Sequence, residues 1–161
     1  VGTPTTVHAL LEFASGAVVT LGASWDVKAH GHRPMELYGL DGTVIIPDPN
    51  FFGGDVEIIK SNGKAMKLPK WRHPLGVPNQ THAHGMTANY RTAGLADMAL
   101  AILDERPHRC SLEFALHVVD VMTAILQSGE TGKFITLATS CGQPAALGPK
   151  EAAALLRKKG K

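Results

Sequence analysis

Histidine is the first residue type to draw attention: the 161 residues hold eight. His30 and His32 flank Gly31, and His82 and His84 flank Ala83. On a strand, side chains two apart share a face, so each His-x-His pair would present two imidazoles for a zinc ion to bridge. Zinc needs a third protein ligand. Cys110 has only His108 near it, and neither Cys-x-x-Cys nor His-Glu-x-x-His occurs. Both pairs also fall in stretches that read as loops, where histidine is an ordinary polar residue. A small metalloprotein built on these pairs is therefore the least supported reading. His8 on a strand and His117 on a helical stripe read as packed, hydrogen-bonded residues rather than catalysts. Nucleophilic hydrolysis has no anchor either, because no Gly-x-Ser-x-Gly elbow is present. Neither Gly-x-x-x-x-Gly-Lys-Ser/Thr nor Gly-x-Gly occurs, so the sequence has no phosphate-cradling loop and no dinucleotide fingerprint of its own.

The remaining candidates suit binding rather than bond-making. Trp25 and Trp71 are each either an apolar wall for a sugar-like ligand or an anchor in a core or interface. Asn89-Tyr90-Arg91 stand where a loop enters a helix. Free N–H groups and a positive dipole end suit polar or anionic substrate groups there. Arg91 reads either as a binder of such a group or as the partner of a surface carboxylate, and Arg109 reads as one half of a structural ion pair.

Strands and then helices position these residues. Residues 7–13 and 17–25 are strand-like runs joined at Ser15-Gly16, a hairpin pattern. Runs at 35–39, 43–46, 56–60 and 65–68 follow, separated by Asp41-Gly42, Pro47-Asp48-Pro49 and Ser61-Asn62-Gly63-Lys64. Such short turns make antiparallel neighbours, since a parallel crossover takes a dozen residues or more. Residues 69–87 carry three Pro, two Gly, three His and Trp71 without periodicity, the pattern of a long and often functional loop. Residues 90–105 place Ala93, Ala96, Met98, Ala99, Ile102 and Leu103 on one helical stripe, with Asn89 as the expected N-cap and Pro107 as the stop. Ser111 caps a second helix with the stripe Leu112, Ala115, Leu116, Val119, Met122 and Leu126, ended by Gly129 or Gly132. A last short strand is expected at 134–137 and a helical tail at 151–159. The order predicts an α+β fold: an open, mostly antiparallel sheet with helices packed on one face. The other face is semi-apolar and is expected to meet another copy of the chain.

Length and composition set the frame. The chain is about one domain long, with 44% hydrophobic and 19% charged residues, so it is globular rather than disordered. Sixteen Lys and Arg against 14 Asp and Glu leave a net charge of +2, too little for a nucleic-acid-binding face. No apolar run reaches the ~18 residues of a membrane span. Two cysteines exclude a disulfide framework and, with no export signal in view, point to the cytoplasm.

Four stretches, taken in order, carry a family resemblance. They are residues 7–17, a strand–glycine turn–strand; residues 36–44, Glu-Leu-Tyr-Gly-Leu-Asp-Gly-Thr-Val; Asn89-Tyr90-Arg91 leading into Leu95-Ala96-Asp97-Met98-Ala99; and Arg106-Pro107-His108-Arg109 through residues 115–122. Together they resemble the C-terminal domain of the glucose–fructose oxidoreductase / inositol dehydrogenase / rhizopine-catabolism (Gfo/Idh/MocA) family. The resemblance spans residues 3–145 and implies a substrate-binding and dimerisation domain over 1–145, followed by a tail at 146–161. It also implies a Rossmann domain, N-terminal to this sequence, that holds NAD or NADP. The reaction implied is hydride transfer to or from a carbon bearing a hydroxyl, on a sugar, a cyclitol or a related compound. The family's Glu-Lys-Pro-like motif and Asp-x-x-x-His pair are missing here, so the resemblance places no catalytic, cofactor-binding or metal residue within the 161 and implies that they are inactive alone. Carried over by position, the pocket residues are Trp25, the 28–33 loop with His30, His32 and Arg33, and Tyr90; Arg91 joins them from its place at the helix start. The implied partners are a small sugar-like substrate, a second copy through the open sheet face, and the Rossmann domain, with neither nucleic acid nor membrane. The alternative is a free-standing, non-catalytic binding or scaffold module.

Overall fold

A computed structural model describes residues 2–69, 71–83 and 85–156. The fold is α+β with open antiparallel sheets. The chain forms two compact units: Val1–His32 with Val119–Ala138, and Arg33–Val118 with Thr139–Lys161.

The first unit opens with a hairpin. Strand β1 (Thr6–Glu12) pairs antiparallel with β2 (Val18–Ser24), from Thr6 opposite Ser24 to Glu12 opposite Val18. The turn closes through Phe13 N–H to the Ala17 carbonyl at 2.9 Å and Gly16 N–H to that of Phe13 at 2.8 Å. Gly16 sits at φ +86°, the left-handed region where a Cβ is costly. At the open end, Thr5 and Thr6 hydroxyls donate to Asp26 Oδ2 at 2.7 and 2.8 Å. These two bonds, Thr5's first, hold the Asp26 carboxyl below its ordinary value. The rest of this unit begins within helix α2 (Leu112–Thr131), at Val119, and Gly132 at φ +65° ends the helix.

The second unit holds a four-stranded meander, β3 (Met35–Gly39), β4 (Gly42–Ile46), β5 (Glu57–Lys60) and β6 (Ala65–Met66), in that order. Central strand β4 contributes Ile45, which is buried. A 3-10 turn at Pro74–Gly76 and a small hairpin of β7 (Gln80–His82) and β8 (Gly85–Thr87) occupy the stretch expected to be a loop. Two helices complete it with the first turns of α2: α1 (Ala93–Leu103) and α3 (Pro149–Leu155). Leu75, Ala93 and Ala152 form its core, with Tyr90, Leu147 and Leu155 packed around them. Alanine at 93 and 152 lets α1, α3 and the 3-10 turn approach closely, and Leu75 fills the space left between them.

Several expectations are corrected. The strands divide into three separate sheets. Residues 134–137 are not a strand: among the described residues they have no ladder partner, and β-propensity is expressed only against one. Helix α1 starts at Ala93 after Thr92, not Asn89, because Asn89 is drawn off by Asn79. The Asn79 side chain accepts from Asn89 N–H at 2.7 Å and donates to its carbonyl at 3.0 Å, like a neighbouring strand. The buried face of α1 is Ala93, Asp97 and Ala101, while Ile102 and Leu103 of the expected stripe are exposed. The Ser111 cap is present, its hydroxyl accepting from Phe114 N–H at 3.2 Å, and α2 ends at the second of its two candidate glycines. The expected helical tail is α3, starting two residues earlier; residues 157–161 lie outside the described residues.

Candidate functional site

Of the six residues proposed for the pocket, Trp25, His30 and His32 belong to the first unit, and Arg33, Tyr90 and Arg91 to the second. Trp25 follows β2, its N–H donating to the Thr5 carbonyl at 2.9 Å, and its side chain is 92% exposed. The rings of His30 and His32 stack 6.5 Å apart, inclined by 24°. Arg33 faces Glu57 at 3.6 Å, an exposed pair of little energetic weight. Arg91 donates to Asn50 Oδ1 at 2.7 Å, so its partner is an amide, not a carboxylate. His117 Nδ1 meets the Thr139 hydroxyl at 2.9 Å, as its packed reading required, whereas His8 is exposed with its ring beside Gly22. Among the described residues no three His, Cys, Asp or Glu side chains gather to hold a metal; His84 lies outside them.

Tyr90 leads to a recess beside the 3-10 turn. Its ring packs edge-on to Phe52, with centroids 6.0 Å apart, and its hydroxyl donates to the Val77 carbonyl at 2.8 Å. Val77 lines an open groove of about 460 Å³ together with Trp71, Arg72, His73, Pro74 and Pro78. Trp71 is 77% exposed and lies 5.0 Å, centre to centre, from the His73 ring. His73 is fixed on both sides. Its Nδ1 accepts from Leu75 N–H at 3.3 Å, which leaves Nε2 to donate to the Leu147 carbonyl at 3.0 Å. Leu75, 2% exposed, anchors the groove from beneath. Sequence reasoning singled out Trp71 and Tyr90 but missed Arg72, His73 and Val77. Pro74 and Pro78, two of the three prolines in residues 69–87, were with Trp71 the available signal of a rigid, rather than mobile, segment.

A second feature underlies the helices. Asp97, 4% exposed, accepts from Arg106 at 2.9 Å, from the Arg109 guanidinium at 2.7 Å and from Arg109 N–H at 3.0 Å. Arg109 also reaches Glu151 on α3 at 3.1 Å. Burial pushes the Asp97 carboxyl up, but the Arg109 N–H and the two guanidiniums outweigh it and hold the group below its ordinary value. This is the structural role read for Arg109.

Among the described residues there is no Rossmann-type cradle for a dinucleotide. All strand pairs are antiparallel, and no helix start follows a glycine turn from a parallel strand, which is the cradle a pyrophosphate requires. No protein-family model, curated protein or solved structure matches the chain.

Proposed function

We propose that this chain is the substrate-binding and dimerisation domain of an NAD(P)-dependent oxidoreductase acting on a sugar, cyclitol or related hydroxy compound in the cytoplasm. The redox half of the reading rests on the four stretches that resemble the Gfo/Idh/MocA family. The observation that carries the association half is the bare apolar surface of the β1–β2 hairpin. Val18 is 61% exposed on one face of β2, and Val19 and Leu21 are exposed on the other. A two-stranded ribbon is marginal in water, so apolar side chains on both faces call for a covering surface. In this reading a second copy and the Rossmann domain supply it. NAD(P) is gripped by that other domain, and these residues position the substrate.

The chain joined to its Rossmann domain is expected to reduce NAD(P) in the presence of a polyol, and the 161 residues alone are expected to give no turnover. A parent reading frame with no dinucleotide fingerprint upstream of Val1 would end this reading and leave the free-standing binding module. Association has its own test. The chain is expected to sediment as a dimer at tens of micromolar, with an interface above ~1,000 Å². A monomer under those conditions counts against the shared sheet face.

A further inference from the structure

We propose that the Trp71–Arg72 groove is a binding site for an acidic monosaccharide, a pyranose ring carrying a carboxylate. The proposal rests on the sugar-substrate reading for the choice of a pyranose; the rest comes from the groove itself.

The walls are apolar and rigid. Pro74, Val77 and Pro78 give a surface with little side-chain freedom to lose, so ordering it on binding costs little. The Trp71 ring stands open to solvent and offers a flat apolar face to the C–H face of a sugar. Three independent ties hold the groove before any ligand arrives: Tyr90 on Val77, His73 on Leu147, and Leu75 N–H on His73. A ligand in a groove fixed in this way is met by a preformed surface.

The charge at the rim selects among sugars. Arg72 is exposed, and among the described residues its guanidinium has no hydrogen bond or ion pair, unlike Arg33, Arg91, Arg106 and Arg109, which all have partners. No acidic side chain lines the groove, and His73 spends both ring nitrogens on the backbone. The uncommitted charged group of the lining is therefore a planar cation with a fork of N–H donors, which matches a carboxylate in two parallel hydrogen bonds. An aromatic face beside such a fork fits a uronate or a related sugar acid better than a neutral hexose.

Isothermal titration of the chain with glucuronate, glucose, acetate and benzoate tests this. Glucuronate is expected to bind one to one in the millimolar range, with glucose roughly tenfold weaker for want of the charge-assisted pair. Acetate is expected to give no saturable heat. Arg72→Gln should bring glucuronate down to the level of glucose, and Trp71→Ala should weaken both sugars while circular dichroism stays unchanged. Equal affinity for glucose and glucuronate, benzoate binding more tightly than glucuronate, or no binding of either sugar by the folded chain would overturn the proposal. Each of those results leaves hydride transfer to be judged by turnover of the two-domain protein. Conversely, a failed turnover assay leaves sugar-acid binding by this chain standing.

Discussion

Replacing Asp97 with alanine is expected to destabilise the second unit by about 3 kcal/mol, the cost of breaking a buried ion pair from one side. Three donors converge on its carboxylate: two guanidiniums and the Arg109 backbone N–H. Alanine would leave all three facing a space built for an anion. Asp97→Asn keeps an oxygen for the Arg109 N–H and should lose less. The deficit should also depend on pH. The folded carboxyl lies below its unfolded value, so across the acidic range the unfolded chain binds more protons than the folded one. Stability from Asp97 is therefore complete above the unfolded carboxyl value of about 4 and is lost as pH falls through the lower folded value. Urea midpoints of the natural chain and the Asp97→Ala variant should be far apart at neutral pH and converge towards pH 3. A gap that stays constant with pH would mean that the variant acts through packing alone.

Gly42→Ala is expected to be of similar size, about 3 kcal/mol, by a different mechanism. Gly42 sits at φ +148° and faces Gly39 on one side and Lys60 on the other. A Cβ there would lie 2.2 Å from the Ile59 carbonyl oxygen and 3.0 Å from Lys60 Cα. Both atoms are backbone of β5, so the strand itself would have to move. The control is Gly63→Ala. Gly63 also has a positive φ, +77°, but a Cβ would meet open space, and the conformational penalty alone is about 1 kcal/mol. Equal losses at the two positions, measured by urea unfolding, would show that β4 and β5 do not approach as closely as described.

Much of the fold is legible in the residues. Asp41-Gly42 and Ser61-Asn62-Gly63 mark turns because few other residues accept the backbone they require, and strands flank both. Ser111 announces the start of α2 because its hydroxyl satisfies a free N–H. The buried stripe of α1 was not legible. Hydropathy favours Met98, Ile102 and Leu103, yet the helix turns Asp97 inward, since arginines 9 and 12 residues later meet it. Nor was the strand at 134–137 decidable, because an apolar run is a strand only when another edge accepts it.

The site divides along the same line. Residue types alone marked Trp71 and Tyr90, assigned Arg109 to an ion pair, and set the α+β order, since turn chemistry and hydrophobic period act over a few neighbours. Only tertiary structure decided that Tyr90 serves the Val77 carbonyl, that His73 is spent on Leu147, and that Arg72 is left unspent among the described residues. The first two of those facts depend on groups 13 and 74 positions apart in the chain meeting in space. Local spacing carries no information about such meetings; the packing that excludes water around Leu75 does.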